Sequence, residues 1–175
     1  MNLDHIVNDQ TYIPVSVTKN KIADNEQLEW KNGLTSKPKL RTYVKFKLLY
    51  ITEFYVTALL PKNKRSLLSR FRCGVLPLAT ETGRYKQVPR HERYCSMCKT
   101  NSVEDEIHFL CHCNFYKVLR DDFFQNVYLI DPSVVTILNM SGEDQLILLL
   151  NDKFIKCTAS FISNAWYKRQ HALFN

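Results

Sequence analysis

Apolar positions near the end of the chain recur at helical spacing. They fall on one narrow stripe, which consists of Ile155, Ala159, Ile162, Trp166 and Leu173. A stripe of this kind is typical of a helix that buries one side. We therefore predict a long C-terminal helix that packs against the core or against a helix of a partner protein.

Residues 64 to 74 predict a second helix, one with two chemically different sides. One side is apolar and carries Leu67, Leu68, Phe71 and Val75. Off that side lie three arginines, Arg65, Arg70 and Arg72. We expect this helix to pack through its apolar side and to present its arginines to solvent.

The rest of the pattern predicts a mainly helical chain with irregular connections. Residues 1–36 are polar and have few periodic apolar positions, which indicates a flexible, irregular arm. Dense apolar residues in 40–60 indicate one or two helices that Pro61 stops, and the prolines of 74–93 indicate an extended loop. Helical spacing resumes later, in residues 115–127 and in short segments near 133–150.

Four potential metal ligands lie within nineteen residues. Two residues separate Cys95 from Cys98, nine more precede His108, and another four precede Cys113. The two-residue gap lets both leading sulfurs point at one centre, and thiolate with imidazole suits a tetrahedral Zn²⁺ ion. This spacing predicts one zinc ion held in a local knuckle.

The fourth ligand has alternatives. His112 stands four residues after His108, the spacing of paired histidines on a helical turn, and Cys111 precedes it. We favour Cys113 because a third thiolate binds zinc strongly, and because Asn114 after it offers an N-cap for the following helix. His112 then becomes a surface residue or one that lies behind the ligands.

Composition supports a helical domain built around this knuckle. The chain of 175 residues is 45% hydrophobic, and four glycines with six prolines are too few for a β-sandwich rich in turns. We predict a mainly α fold, a small helical domain with one embedded zinc knuckle. Its predicted parts are a flexible N-terminal arm (1–36), a basic helical and extended segment (37–93), the zinc knuckle (94–114) and a C-terminal helical segment (115–175) packing with 37–75.

Charge is distributed unevenly along the chain. Residues 37–93 hold 14 Lys and Arg against three Glu, a local excess of +11 in a chain whose total is +7. A one-sided basic segment is the footprint of a protein that lies along phosphates, and interleaved aromatic rings suit base stacking. The candidate residues for RNA or DNA binding are Arg65, Arg70, Arg72, Arg84, Tyr85, Lys86, Arg90, Arg93, Tyr94, Lys99 and Phe109.

Enzymatic motifs do not accompany these residues. A polymerase needs paired aspartates on a hairpin with a third carboxylate, whereas Asp121-Asp122 falls in a helical pattern. The sequence has no Gly-rich phosphate loop and no Gly-x-Ser-x-Gly motif. Four protein ligands also argue for a closed, structural zinc site. We predict a non-enzymatic protein.

The cysteines and apolar runs suggest a compartment. Asp4, His5 and Asp9 interrupt the first ten residues, and Leu146–Leu150 is the longest aliphatic run. Because a membrane span needs about 20 apolar residues, we expect no membrane association. We expect an intracellular protein, nuclear or cytoplasmic, in a reducing compartment where Cys73 and Cys157 remain packed or free thiols.

The sequence resembles a known region of mobile genetic elements. The similar stretches are RSLLSRFRCGVLPL (65–78), ETGRY (81–85), ERYC (92–95), EDEIHFL (104–110) and CNFY (113–116). Together with Cys98 they resemble the region that follows the reverse transcriptase in non-LTR, LINE-type retrotransposons, and the likeness covers roughly residues 30–173. It departs at Asn114, where that family commonly has proline.

This resemblance implies a function. It implies a Cys-Cys-His-Cys zinc knuckle on Cys95, Cys98, His108 and Cys113, and binding of element RNA or target DNA during target-primed reverse transcription. It also suggests a protein partner, either the element's reverse transcriptase or another protein bound through the C-terminal helix. The alternatives are a zinc-stabilised protein-interaction module, in which the arginines serve solubility, or an inert retroelement remnant.

Overall fold

The computed structural model describes residues 15–37 and 40–174, and the chain divides into two compact units between Ser36 and Lys37. In the first unit, helix α1 spans Val15–Thr35. The prediction of an irregular arm is therefore wrong for these residues, and its remainder, residues 1–14, lies outside the described part. Leu34 is the one buried residue of α1, and the apolar residues of this helix form no stripe, so burial within its unit does not explain the helix.

The second unit is built from helices of different lengths. They are α2 (Phe54–Thr57), α3 (Lys62–Arg72), α4 (Ala79–Tyr85), α5 (Lys117–Ile130), α6 (Gly142–Leu149) and α7 (Ile155–Phe174). This unit also contains 3-10 and π turns, at Tyr43–Lys45, Arg90–Glu92, His108–His112, Asn114–Tyr116 and Pro132–Asn139. The described residues contain no β-strand, only an isolated antiparallel bridge between Tyr94 and Val103. The prediction of a mainly α fold is confirmed.

The core lies where α7 packs against α3 and α5. The predicted stripe of α7 provides its centre, since Ile155, Ala159 and Ile162 are fully buried. Trp166 is half-buried, and Leu173 is exposed because the helix runs past the core there. None of the described helices is both long and apolar enough to cross a membrane.

Residues 40–60 form less helix than predicted. They contain only the 3-10 turn Tyr43–Lys45 and the single helical turn α2. Four consecutive apolar residues, Leu48 to Ile51, are exposed between these turns. Because consecutive apolar residues point in all directions around a helix, dense apolarity without helical spacing does not produce a buried helix face.

Residues 74–93 are more ordered than predicted, because α4 lies inside the expected loop. Its first N–H, that of Ala79, donates to the carboxylate of Glu104 at 2.8 Å. Inside the helix, Glu81 is buried and pairs with Arg84 three residues later. The cap of α4 comes from a residue 25 positions away, so local sequence did not reveal it.

The start of α5 also differs from the prediction. Asn114 does not cap this helix; it opens the 3-10 turn Asn114–Tyr116, and α5 begins at Lys117. No side chain caps either element. Arg120 instead holds the preceding backbone, donating to the carbonyls of Leu110 at 2.9 Å and Cys113 at 2.7 Å.

Candidate metal centre

The structure brings Cys95, Cys98, His108 and Cys113 together. One ligand atom from each lies within 4.8 Å of all the others. The Cys95 and Cys113 sulfurs are 3.8 Å apart, and Cys98 Sγ lies 3.3 Å from His108 Nε2. Two sulfurs bound to one tetrahedral zinc at about 2.3 Å would stand about 3.8 Å apart. The spacing of the side chains therefore fits one four-coordinate ion.

A tight hairpin positions the first two ligands. Cys95 donates its N–H to the Ser102 carbonyl at 2.9 Å, beside the bridge between Tyr94 and Val103. Between the hydrogen-bonded ends, Lys99 and Asn101 adopt positive φ angles of 55° and 53°. These left-handed residues turn the chain sharply enough for the sulfurs of Cys95 and Cys98 to face one centre.

A π turn positions the other two ligands. Residues His108–His112 form this turn, and the Cys113 N–H donates to the His108 carbonyl at 2.7 Å. A bond of this kind joins residues five apart, so it places His108 and Cys113 next to each other. The Asp105 carboxylate accepts the His108 N–H at 2.9 Å and fixes the start of the turn.

The alternative ligands lie elsewhere. Cys111 is buried outside the cluster, and burial raises the pKa of its thiol to about 12. His112 is exposed and points toward Gly142 at the start of α6, where a Cβ on that glycine would lie 2.8 Å from His112 Nε2. The fourth position is therefore occupied by Cys113.

Hydrogen bonds within the cluster shift the pKa values of its three thiols in different directions. The hydrogen bond between Cys95 and Cys113 raises the pKa of Cys95 to about 12 and lowers that of Cys113. Burial raises the pKa of Cys98, but hydrogen bonds from Thr100 outweigh it and lower the pKa overall. At two of the three sulfurs the environment thus favours the thiolate, the form that binds metal.

The ligand types and their burial indicate which ion this centre can bind and whether a substrate could reach it. Three sulfurs and one imidazole favour zinc among the common cellular divalent cations, and three of the four residues are buried. A site with four protein ligands leaves no open position for a substrate. The arrangement therefore fits a metal ion held by four protein side chains.

Three buried charged residues surround this centre, and the sequence pattern did not point to two of them, Arg120 and Arg169. Glu104, Arg120 and Arg169 are each buried, and each contacts the ligand loops or a residue that does. Arg169 stands seven residues after Ile162, on the apolar stripe of α7. A charged residue on a buried stripe needs a buried partner, and this was the available signal.

Two of the predicted nucleic-acid-binding residues are buried, which contradicts that assignment. Phe109 is inaccessible and packs on Phe71 and Tyr116, with ring centroids 5.8 and 4.9 Å away. Arg72 is also buried and donates to the Leu150 carbonyl at 2.7 Å. Both side chains therefore pack in the core. Arg72 does so because the buried side of α3 includes it beside Leu68 and Phe71.

Three further arginines make contacts within the protein. Arg93 is half-buried and donates to the carbonyls of Thr80 and Val88 at 2.5 and 2.9 Å. Arg84 pairs with Glu81, and Arg65 donates to the Val56 carbonyl at 3.3 Å. The remaining candidates are exposed, but two of them also contact the protein: the Arg90 guanidinium lies 3.9 Å from the Asp105 carboxylate, and the Tyr85 hydroxyl donates to Glu81 at 3.0 Å. The other exposed candidates are Arg70, Lys86, Tyr94 and Lys99.

Comparison with known proteins adds no relative. The sequence matches no model of a protein family and no curated protein, and the fold matches no solved structure. The metal centre and the surface around it are therefore the features of this chain that bear on its function.

Proposed function

We propose that this chain is a non-enzymatic, zinc-dependent module that binds RNA or DNA. The observation that carries the proposal is the convergence of Cys95, Cys98, His108 and Cys113 within 4.8 Å. Zinc is the proposed ion because thiolate-rich tetrahedral sites select it over harder cations. Its proposed role is to fold the hairpin and the π turn around their ligands, because such small sites do not form without metal.

The surface next to the ligands supports nucleic acid as the partner. Tyr94 directly precedes Cys95, Lys99 directly follows Cys98, and Arg90 is 62% exposed at its side chain. Tyr85 and Lys86 are exposed at the end of α4. Cations beside exposed rings allow phosphate contact together with base stacking, a combination that suits single strands.

We further propose a relation to the tail that follows the reverse transcriptase of LINE-type retrotransposons. The resemblance in residues 65–78, 81–85, 92–95, 104–110 and 113–116 supports this relation. In that setting the bound nucleic acid would be element RNA or target DNA.

The test is a salt-dependent binding titration. Zinc-loaded protein is titrated into labelled single-stranded RNA and duplex DNA between about 50 and 200 mM salt, because phosphate contacts weaken steeply over this range. A chelated sample is measured alongside. We expect tight, salt-sensitive binding that chelation abolishes.

Matched variants make the test specific to this surface. K86A/R90A/K99A removes three exposed cations near the ligands, and K19A/K21A/K31A removes three exposed lysines from α1. For a single strand, the loss of three phosphate contacts makes the fall of log affinity with log salt shallower, by about 2 in slope. The first variant should show this loss at unchanged zinc content, whereas equal losses in both variants would contradict the proposed surface.

A second candidate function is a protein-interaction module. The run from Leu48 to Ile51 is exposed, and Leu59 is 97% exposed. Contiguous exposed apolar residues such as Leu48 to Ile51 are typical of a protein-interaction site. The same titration separates the two functions, because absence of binding at low salt would favour the interaction module.

A further inference from the structure

Glu104 places a carboxylate directly beside the metal centre. Its side chain is fully buried, and its Oε1 accepts a hydrogen bond from the Cys95 sulfur at 3.4 Å. The other oxygen accepts from the Ala79 N–H at the start of α4. A single carboxylate thus touches a ligand and the first residue of a neighbouring helix.

Arg169, near the end of α7, neutralises this carboxylate. Its Nη1 contacts Glu104 Oε1, and its Nη2 donates to Oε2 at 3.0 Å. Arg169 is buried, so little solvent screens the pair. The two-pronged contact is the geometry in which guanidinium and carboxylate bind most strongly.

The pair of Glu104 and Arg169 affects metal binding because it lies beside Cys95. A metal-binding sulfur is a thiolate, and a thiolate 3.4 Å from a bare carboxylate would be repelled strongly in a buried setting. With the guanidinium on both oxygens, the pair is neutral overall and the carboxylate no longer opposes the thiolate. Loss of Arg169 would leave two like charges side by side.

We infer that Arg169 is a positioning residue of the metal centre, 74 positions from Cys95 in sequence, and that it couples metal binding to the docking of the end of α7. The inference rests on the metal-binding part of the proposed function, not on nucleic-acid binding. The coupling free energy is the same in both directions. Bound metal therefore stabilises the docked end of α7 by the same amount as docking of α7 strengthens metal binding.

Four variants test the inference through zinc affinity, measured by competition with a chromogenic chelator. R169M leaves the Glu104 carboxylate unpaired beside Cys95, and we expect zinc affinity to fall by about 10- to 100-fold, as for other residues that orient ligands. E104Q removes the charge, so E104Q and E104Q/R169M should both bind zinc more tightly than R169M. K156Q removes an exposed cation from the same helix and should bind like the wild type.

The order of zinc affinities among these variants distinguishes neutralisation of Glu104 by Arg169 from a purely packing role of Arg169. If Arg169 acted only through packing, the double variant would bind zinc no better than R169M, and that result would overturn the inference. Wild-type affinity in folded R169M would overturn it as well.

Hydrogen exchange of the wild-type protein tests the coupling between metal binding and the end of α7 even if R169M does not fold. Zinc should slow exchange of the amides in residues 163–173 more than exchange of the amides in residues 124–130 of α5, which belong to the same unit. Unchanged exchange in 163–173 would overturn the coupling. A wild-type chain that binds no zinc would instead refute the proposed function itself, so the two failures are distinguishable.

Discussion

Arg72 donates a hydrogen bond to Glu53 at 2.7 Å in the interior of the domain. Only 4% of the arginine side chain and 14% of the glutamate side chain are exposed. The guanidinium also lies over the Phe46 ring, 4.1 Å from its centroid. Arg72 therefore ties the irregular segment after residue 40 to α3, and it is unavailable to a nucleic acid.

Replacing Arg72 by methionine should destabilise the fold. R72M removes the guanidinium from Glu53 and leaves Lys47, 3.4 Å away, as its salt-bridge partner among the described residues. Breaking a buried ion pair from one side costs about 3 kcal/mol or more. We expect the free energy of unfolding to fall by about this amount in urea denaturation.

R70M is the matched control, because Arg70 is exposed on the same helix. Its effect on stability should stay within about 0.5 kcal/mol. A stable R72M variant with weakened nucleic-acid binding would contradict the structural role and return Arg72 to the binding surface.

The fourth ligand can be tested with two neighbouring cysteines. Cys113 and Cys111 are both buried, but only Cys113 belongs to the cluster. C113S should lose tight zinc binding, since it removes a thiolate from a four-ligand site, whereas C111S should keep the full zinc content. Elemental analysis after dialysis against a weak chelator measures the difference.

C98S and C157S extend this test. Cys157 is a half-buried thiol far from the cluster, so its serine variant should retain zinc while C98S loses it. Equal zinc content in C111S and C113S, or in C98S and C157S, would refute the ligand assignment.

The parts of the fold that sequence predicts are those whose cause is local. The ligand spacing from Cys95 to Cys113 lies within nineteen residues, and its chemistry needs no distant residue. The α7 stripe likewise follows from spacing alone, and Ile155, Ala159 and Ile162 are buried as that spacing predicts. In both cases the pattern and the structural reason occupy the same stretch of chain.

The parts that sequence did not predict depend on distant partners. Helix α4 begins where Glu104, 25 residues on, accepts the Ala79 N–H. The burial of Arg72 depends on Glu53, which lies in a segment of irregular backbone. An arginine on a helix projects outward by default, and only a buried acceptor reverses that expectation.

Gly142 provides a test of the packing behind the π turn. It opens α6, and a Cβ at this position would lie 2.6 Å from Ile107 Cγ2 and 2.8 Å from His112 Nε2. Because Ile107 Cγ2 sits close to its own backbone, the turn itself would have to shift. G142A should therefore destabilise the domain by about 1–3 kcal/mol in thermal or urea unfolding.

G33A is the matched substitution in open space. Nothing lies within 4 Å of a Cβ on Gly33, which is inside α1. Alanine favours a helix interior by about 1 kcal/mol over glycine, so helicity by circular dichroism should rise slightly or stay constant. A G142A variant as stable as the wild type would show that the π turn does not pack closely on α6.

Asp131 gives the domain a defined dependence on acid. Its carboxylate accepts hydrogen bonds from Lys153 at 2.5 Å and from the Ser133 hydroxyl at 2.6 Å. The bond to Lys153, followed by those to Ser133, lowers the pKa of Asp131 from 3.8 to about 2. A carboxyl whose pKa is lower in the folded state stabilises the fold above its unfolded pKa, and this contribution disappears as pH falls from about 4 to about 2.

D131N should accordingly be less stable than the wild type at pH 7, and the difference should vanish near pH 2. K153M should show the same window, because it removes the other half of the contact. Both comparisons use zinc-loaded protein prepared in the same way, so that any loss of metal in acid affects the variants and the wild type alike. A difference between D131N and wild type that persisted unchanged to pH 2 would mean that charge on Asp131 plays no part in its contribution.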